Sequence, residues 1–134
     1  MMKKVEVLRE IRETLGSVPK FIEGVPESTI ELEWELIKRV ELNETMIPNK
    51  YKELIGLGVA SAIHCQYCIE FHKEAARTFG ATNQEIEEAI SLAKQTVGWS
   101  TYLHGTQADP DRFREDVTKI NDYVRSGMAT SKVA

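Results

Sequence analysis

The stretch ELIGLGVASAIHCQYCIEFH, residues 53–72, joins an apolar helix-forming segment to a cluster of cysteines and histidines. Apolar residues cover most positions of Leu54–Ile63, the pattern of a helix buried on several sides, and its glycines permit close packing. A turn is expected near residues 64–66, and a second helix should run from the cysteines to Gly80, since glycine tolerates the left-handed backbone that ends many helices. The stretch therefore predicts a hairpin of two helices.

Helical periodicity continues on both sides of this hairpin, and no alternating apolar pattern is long enough to indicate a strand. The first helix is predicted to end at Gly16, the second to stop before Pro48, and the last to cover Pro110–Arg125. Thr82 and Glu85 form a capping-box signature that opens a fifth helix. The residues predicted to face inward outside the hairpin are Val5, Leu8, Ile11, Leu15, Ile30, Trp34, Ile37, Ile86, Ala89, Ile90, Ala93, Val97, Phe113, Val117, Ile120 and Val124.

Length and composition fit one globular domain built from helices. The chain has 134 residues, of which 42% are hydrophobic and 28% charged, enough for an apolar core without disulfide staples. We predict an all-α, single-domain bundle over residues 1–134, with about six helices and the active site at the hairpin. Its core should cover about residues 27–125 after a linker that reaches about Pro26, and the tail, residues 126–134, should be loose.

Charge and hydropathy exclude several partner classes. The formal net charge is −4, acids and bases are interspersed, and aromatic residues make up 7%, so neither nucleic acid nor an anionic membrane is an expected partner. Charged residues return at Glu6 and Arg9, which leaves no continuous apolar core for a secretory signal, and Leu54–Ile63 is too short to span a bilayer. We expect a cytoplasmic protein, in which two neighbouring cysteines are reactive or metal-binding rather than a permanent staple.

The hairpin brings together four residues with complementary chemistry. Cys65 and Cys68 fall on one side of the second helix, close enough to form a disulfide, and the helix N-terminus favours thiolate over thiol. His72 lies one turn after Cys68 and can accept its proton. In one straight helix Glu53 would lie about 28 Å from His72. Across a hairpin the two become neighbours, so the carboxylate can orient the imidazole and keep it basic.

Other interpretations of these residues remain open at this point. A structural zinc site needs four ligands, and Cys65, Cys68 and His72 supply three, so that His64 or His104 would have to complete the shell. A lone glutamate in the second turn of a helix, such as Glu53, is more often a solvated charge than a catalytic group, and His104 is more often an ordinary surface or core histidine. The pair of cysteines alone is moderate evidence for redox chemistry.

The combined spacing, a glutamate followed after eleven residues by Cys-x-x-Cys and after three more by histidine, resembles the alkylhydroperoxidase D-like (AhpD-like) branch of the carboxymuconolactone decarboxylase family. The segments ASAIHCQYCIEFHKEAARTFGAT, NQEIEEAI and GWSTYLHG extend the resemblance over about residues 50–107. It implies an all-helical, AhpD-like fold, usually assembled as a homo-oligomer such as a trimer or hexamer. It also implies a thiol-dependent peroxidase or disulfide reductase activity.

Carried over residue by residue, the resemblance makes Glu53 and His72 a proton relay to Cys68, with Cys65 as its disulfide partner. The best-known peroxidases of this branch have a histidine directly before the second cysteine, where this chain has Tyr67, which implies that a second proton-transfer group is missing. The decarboxylating relatives lack the cysteine pair.

We therefore expect a cytoplasmic antioxidant enzyme of peroxiredoxin-like activity that uses no cofactor or metal. Its substrate would be a small hydroperoxide or disulfide, and an external dithiol donor would restore the reduced pair. Leu32 and Leu36 lie off the inward face of the helix predicted to stop before Pro48, which also indicates self-association. The alternatives are a decarboxylase-like enzyme acting on a small acidic lactone, and a non-enzymatic metal-binding helical module.

Overall fold

The computed structural model describes residues 2–127, and all regular structure in this range is helical. Within it, seven α-helices and one π-helical turn follow one another along the chain, and no strand is present. The helices are α1 Lys4–Leu15, α2 Lys20–Glu23, α3 Ile30–Ile37, α4 Asn49–Ala62, α5 Gln66–Thr78, α6 Asn83–Gly105 and α7 Pro110–Arg125, with the π-helical turn at Lys38–Leu42. The predicted all-α class is confirmed. Of the predicted tail, residues 128–134 lie outside the described residues.

The chain divides into two compact units, and the boundary falls between Ile90 and Ser91, inside α6. The first unit contains α1 to α5 and the start of α6, and the second contains the rest of α6 and α7. The prediction of a single domain over residues 1–134 stays a prediction. Among the described residues, none of the helices is both long and apolar enough to cross a membrane.

The first hydrophobic core of the first unit joins α1, α2 and α3. Its buried side chains are Val7, Ile11, Ile22, Ile30 and Trp34. Trp34 is the largest of them, and truncating a buried tryptophan to alanine typically costs about 3–5 kcal/mol. The four-residue helix α2 carries Ile22 into this core from the stretch predicted to be a linker. A single helical turn is too short to show periodicity, which is why the sequence did not reveal α2.

The bounds of α1 agree with the prediction, but its buried face differs. The helix ends at Leu15 because Gly16 takes a left-handed conformation, with φ of 79°. Val7 and Ile11 are buried, whereas Val5 is 70% exposed. Val5 and Val7 are two residues apart, about 200° around the helix, so both cannot face the same core. The spacing of apolar residues alone did not show which of these two faces of α1 is buried.

The second core of the first unit holds the hairpin together. Leu57 of α4, Ala76 of α5 and Ile86 of α6 are buried against one another, with Leu54 and Ile69 packed at the edge. Within residues 2–127, α4 and α5 make the most extensive contact of any pair of helices. The two helices of the hairpin are therefore closely joined, and the hairpin carries the candidate site.

The start of α6 confirms the predicted capping box. The Glu85 backbone N–H donates to the Thr82 hydroxyl at 3.1 Å, and the Thr82 N–H donates to the Glu85 carboxylate at 2.8 Å. The same carboxylate accepts a hydrogen bond from Lys50 of α4 at 2.8 Å. This hydrogen bond is the main reason, before the backbone bond from Thr82, that the pKa of Glu85 is lowered from 4.5 to about 2.

Many apolar residues that were predicted to face inward are exposed in this chain taken alone. On α7 the predicted inward residues Phe113, Val117, Ile120 and Val124 are between 38% and 61% exposed. Ile55 and Val59 of α4 and its C-cap residue Ile63 are also exposed, which corrects the expectation of a helix buried on several sides. An apolar stripe indicates that a helix face needs cover, and it does not say which chain provides that cover.

Candidate active site

The bend of the hairpin is a Schellman motif centred on His64. α4 ends at Ala62, and His64 takes a left-handed conformation with φ of 57°. The Cys65 N–H then donates to the Ala60 carbonyl at 3.0 Å, and the His64 N–H donates to the Ser61 carbonyl at 3.3 Å. Glycine is the usual residue at such a position, so a histidine there is uncommon. The predicted turn near residues 64–66 is confirmed.

Cys65 and Cys68 lie at the N-terminus of α5 and form a disulfide, with their Cα atoms 5.3 Å apart. Cys68 occupies the first turn, as predicted, whereas Cys65 is the N-cap residue just before it. The Cys65 sulfur accepts a hydrogen bond from the Cys68 backbone N–H at 3.3 Å. The Cys65 sulfur is thus bonded to the Cys68 sulfur and also accepts a hydrogen bond from one of the free N–H groups at the start of the helix.

Glu53 and His72 meet across the hairpin, as the counting of residues predicted. The Glu53 Oε2 atom lies 2.7 Å from the His72 Nδ1 atom. Glu53 is only 3% exposed, and a buried carboxylate needs such a partner to offset its lost hydration. Because an ionised carboxylate can only accept, the His72 Nδ1–H is the donor to it, and in the neutral imidazole this tautomer leaves the lone pair on Nε2. The free nitrogen is the one that can exchange protons.

Two further residues contact the imidazole ring, and the sequence analysis predicted neither contact. The Phe71 ring meets the His72 ring edge to face, with centroids 5.2 Å apart. Gly56 of α4 lies directly against the ring, so the close packing predicted for the α4 glycines is confirmed at this position. For Gly56 the available signal was its position three residues after Glu53, on the same helix face. The sequence did not indicate that His72 is the residue packed against it.

The cationic neighbour of Glu53 on α4 is engaged elsewhere. Lys50 lies three residues before Glu53, but its ammonium group is bonded to Glu85, and this bond raises the pKa of Lys50. The imidazole of His72 is therefore the only partner for which a hydrogen bond to the Glu53 side chain is found within residues 2–127. A carboxylate with one imidazole partner is the arrangement that positions a general base in other enzymes.

The other predicted candidates, His64, Tyr67 and His104, face solvent. His64 is exposed at the bend, and Tyr67 is exposed on the first turn of α5. His104 belongs to the second unit, where its Nδ1 atom hydrogen-bonds the Ser100 carbonyl of its own helix at 2.7 Å. Across the described part of the chain, no three side chains of His, Cys, Asp or Glu gather to hold a metal ion. The shell required by the zinc interpretation is not assembled there.

Comparisons with known proteins match the region that contains the site. A model of the carboxymuconolactone decarboxylase family matches residues 24–109. The chain is 35% identical over 72 residues to the "Uncharacterized protein 4 in cox locus" of Paracoccus denitrificans, a match covering 54% of this chain and 65% of that protein's length. The crystal structure of the alkylhydroperoxidase AhpD core from Rhodospirillum rubrum matches with a TM-score of 0.71 at 27% identity, over 80% of this chain and 82% of the other.

Proposed function

Because the chain belongs to the carboxymuconolactone decarboxylase family, we propose that it is a thiol-dependent oxidoreductase that reduces hydroperoxides or disulfides through Cys65 and Cys68. The observation that carries the proposal is a disulfide-bonded pair at a helix N-terminus, on the same helix as an imidazole held by a buried carboxylate. The likeness to an alkylhydroperoxidase core supports the same reaction class. Tyr67 takes no part in the proposed proton transfers.

The first half-reaction starts from the reduced pair. His72 accepts the thiol proton of Cys68, which lies one turn earlier on α5, and Glu53 stabilises the imidazolium that results. The Cys68 thiolate attacks the terminal oxygen of a hydroperoxide, so that an S–O bond forms and the O–O bond breaks. Cys68 becomes a sulfenic acid, and the departing alkoxide takes the proton from His72 and leaves as an alcohol.

The second half-reaction closes the disulfide. The Cys65 thiol attacks the Cys68 sulfur, an S–S bond replaces the S–O bond, and hydroxide leaves with the Cys65 proton as water. An external dithiol then supplies two electrons and two protons to restore both thiols. With a disulfide as substrate, the Cys68 thiolate attacks one of its sulfurs, the substrate S–S bond breaks, and the departing thiolate takes the proton from His72. The Cys65 thiol then attacks the Cys68 sulfur of the mixed disulfide, and the second substrate thiolate leaves with the Cys65 proton. The disulfide found between the two residues supports an internal resolving step.

The proposed enzyme works as a homo-oligomer, such as a trimer or hexamer, in the cytoplasm, without a resident cofactor or metal. Support for self-association comes from apolar side chains that the single chain leaves uncovered. Leu32 and Leu36 of α3 are 68% and 57% exposed, and the apolar stripe of α7 is exposed as well. Covering such faces with a second copy would remove apolar surface from water, the main driving force for assembly.

The proposal is tested by turnover with a hydroperoxide and with a small disulfide, using dithiothreitol as the reductant. We expect the parent to consume both electron acceptors and Cys68→Ser to lose activity. When dithiothreitol is left out, Cys65→Ser should stop after the first step, so that a sulfenic acid at Cys68 is trapped by dimedone and identified by mass spectrometry.

The alternatives predict different results in the same set of variants. A decarboxylase-like enzyme would convert a small acidic lactone at a rate that survives the loss of both cysteines. A metal-binding module would be purified with stoichiometric metal and would resist alkylation of its thiols. Either outcome, without thiol-dependent turnover, would contradict the proposed function.

A further inference from the structure

Gly56 occupies an interior position of α4, where glycine is among the least favourable residues for a helix. Its backbone does not take the left-handed conformation that favours glycine, in contrast to Gly16 and Gly80. The helix itself therefore gives no reason for glycine at this position. The reason must lie in what approaches the Cα atom.

The group that approaches Gly56 is the imidazole of His72. A Cβ atom built at position 56 would lie 2.5 Å from Cε1, 2.6 Å from Nδ1 and 2.7 Å from Nε2 of that ring. Real Cβ atoms essentially never come closer than 3.0 Å to such atoms. Three ring atoms are affected at once, so a small rotation of the ring cannot relieve the contact. Any side chain at position 56 would displace the ring from α4.

Displacement of the ring would break its bond to the carboxylate. Glu53 and Gly56 are three residues apart on α4, so they present neighbouring points of one helix face to α5. The 2.7 Å bond from the His72 Nδ1–H to Glu53 forms while the ring rests on Gly56. The edge-to-face contact with Phe71 limits movement of the ring on another side. The orientation of the imidazole thus depends on the lack of a side chain at Gly56.

We propose that Gly56 is a positioning residue for the proton relay: it lets the His72 ring lie against α4, where Glu53 fixes the tautomer that leaves Nε2 free. As a statement about catalysis, this inference rests on the proposed thiol oxidoreductase function. As a statement about the ring, it can be tested without any activity. A substitution at position 56 should therefore change the tautomer and hydrogen bond of His72 while the helical fold is kept.

The first test compares Gly56→Ala with the matched control Gly98→Ala. Gly98 also lies inside a helix, and a Cβ atom there would meet nothing within 4 Å. Both substitutions gain helix propensity, so Gly98→Ala should raise the melting temperature by a few degrees. Gly56→Ala should lower it. When His72→Ala is present, the contact is gone, and adding Gly56→Ala should raise the melting temperature as the control does.

The second test reads the tautomer of His72 by NMR. The parent and Gly98→Ala should show an Nδ1–H proton shifted downfield by its carboxylate partner, with Nε2 unprotonated. Gly56→Ala should lose this signal while its circular dichroism stays helical. A merely structural glycine would affect stability and leave the Nδ1–H signal in place.

The third test uses activity. Gly56→Ala should lower peroxide turnover about a hundredfold, within the range that general acid–base catalysis contributes, and should lower it no further when His72→Ala is already present. A Gly56→Ala protein that keeps the Nδ1–H signal, or whose melting temperature is not rescued by His72→Ala, overturns the positioning role. If the first two tests succeed while no variant and no parent protein turns over peroxide or disulfide, the proposed function fails and the positioning of the ring stands.

Discussion

Replacing Glu53 by glutamine removes one charge from the relay and almost nothing else. Glutamine has nearly the same size, and its amide oxygen can still accept the His72 Nδ1–H. The present bond is 2.7 Å long and joins a carboxylate that is only 3% exposed to a partly exposed imidazole. Hydrogen bonds to charged groups contribute about 1.5–3 kcal/mol and neutral ones about 0.5–1.5 kcal/mol. The substitution should therefore cost the imidazolium form about 1.4 kcal/mol, a factor of about ten in the thiolate that His72 supports at neutral pH.

The assay is the rate of alkylation of the reduced protein by iodoacetamide between pH 6 and pH 9. At pH 7 the Glu53→Gln protein should react about tenfold more slowly at Cys68 than the parent, since only the thiolate is nucleophilic. The two rates should converge at high pH, where the thiol ionises without help. Circular dichroism and thermal unfolding should show that the fold is little changed.

Two further variants make the result decisive. His72→Ala should produce a similar loss, and the double variant should lose little more than either single one, because groups that act as a unit are not additive. His104→Ala, which removes an exposed histidine held by its own helix, serves as the matched control and should react like the parent. Additive losses, or a Glu53→Gln protein that matches the parent across the whole pH range, would refute the relay and leave Glu53 a buried structural charge.

The remaining predictions concern the disulfide, the assembly and the stability at low pH. Mild oxidation should join Cys65 to Cys68 within one chain, since their spacing favours internal closure, and predominant cross-linked dimers on non-reducing electrophoresis would contradict the cycle. Light scattering at micromolar concentration should give a mass of three or six chains of 15.2 kDa, and a stable monomer would rule out the oligomer. The pKa of Glu85 is lowered from 4.5 to about 2 by its bond to Lys50, so its stabilising effect is present above about pH 4.5 and is lost towards pH 2. Denaturant unfolding between pH 5 and pH 2 should therefore depend less on pH in Glu85→Gln than in the parent.

The sequence predicted the limits of helices best where a local chemical signal marks them. The left-handed glycines Gly16 and Gly80 and the capping box at Thr82 each act within a few residues, and all three are present. The Asp109 side chain caps α7, which covers the predicted range Pro110–Arg125. Burial was less predictable, because the face that a helix buries depends on its neighbours. Val5 and the stripe of α7 have apolar spacing and yet are exposed in this chain.

In the candidate site, too, some features could be predicted from the sequence and others could not. Counting residues from the bend was enough to bring Glu53 next to His72, since the rise per residue in a helix is constant. The contact with Gly56 was not predictable, because it depends on how closely α4 and α5 approach and on the rotamer of the imidazole. The capping role of Cys65 was missed for a related reason. The sequence showed that the cysteines open α5, but the exact first residue of a helix is the least certain part of any assignment.

In the two antiparallel helices of the hairpin, the number of residues between the motif positions sets which side chains meet. Eleven residues separate Glu53 from Cys65, and three separate Cys68 from His72. Deleting one residue within either arm would rotate everything beyond it by about 100° and shift it by about 1.5 Å, which carries a side chain to another face of its helix. Insertions between other helices need not disturb this register. Glu53 therefore stays opposite His72 only while each arm of the hairpin keeps its present number of residues.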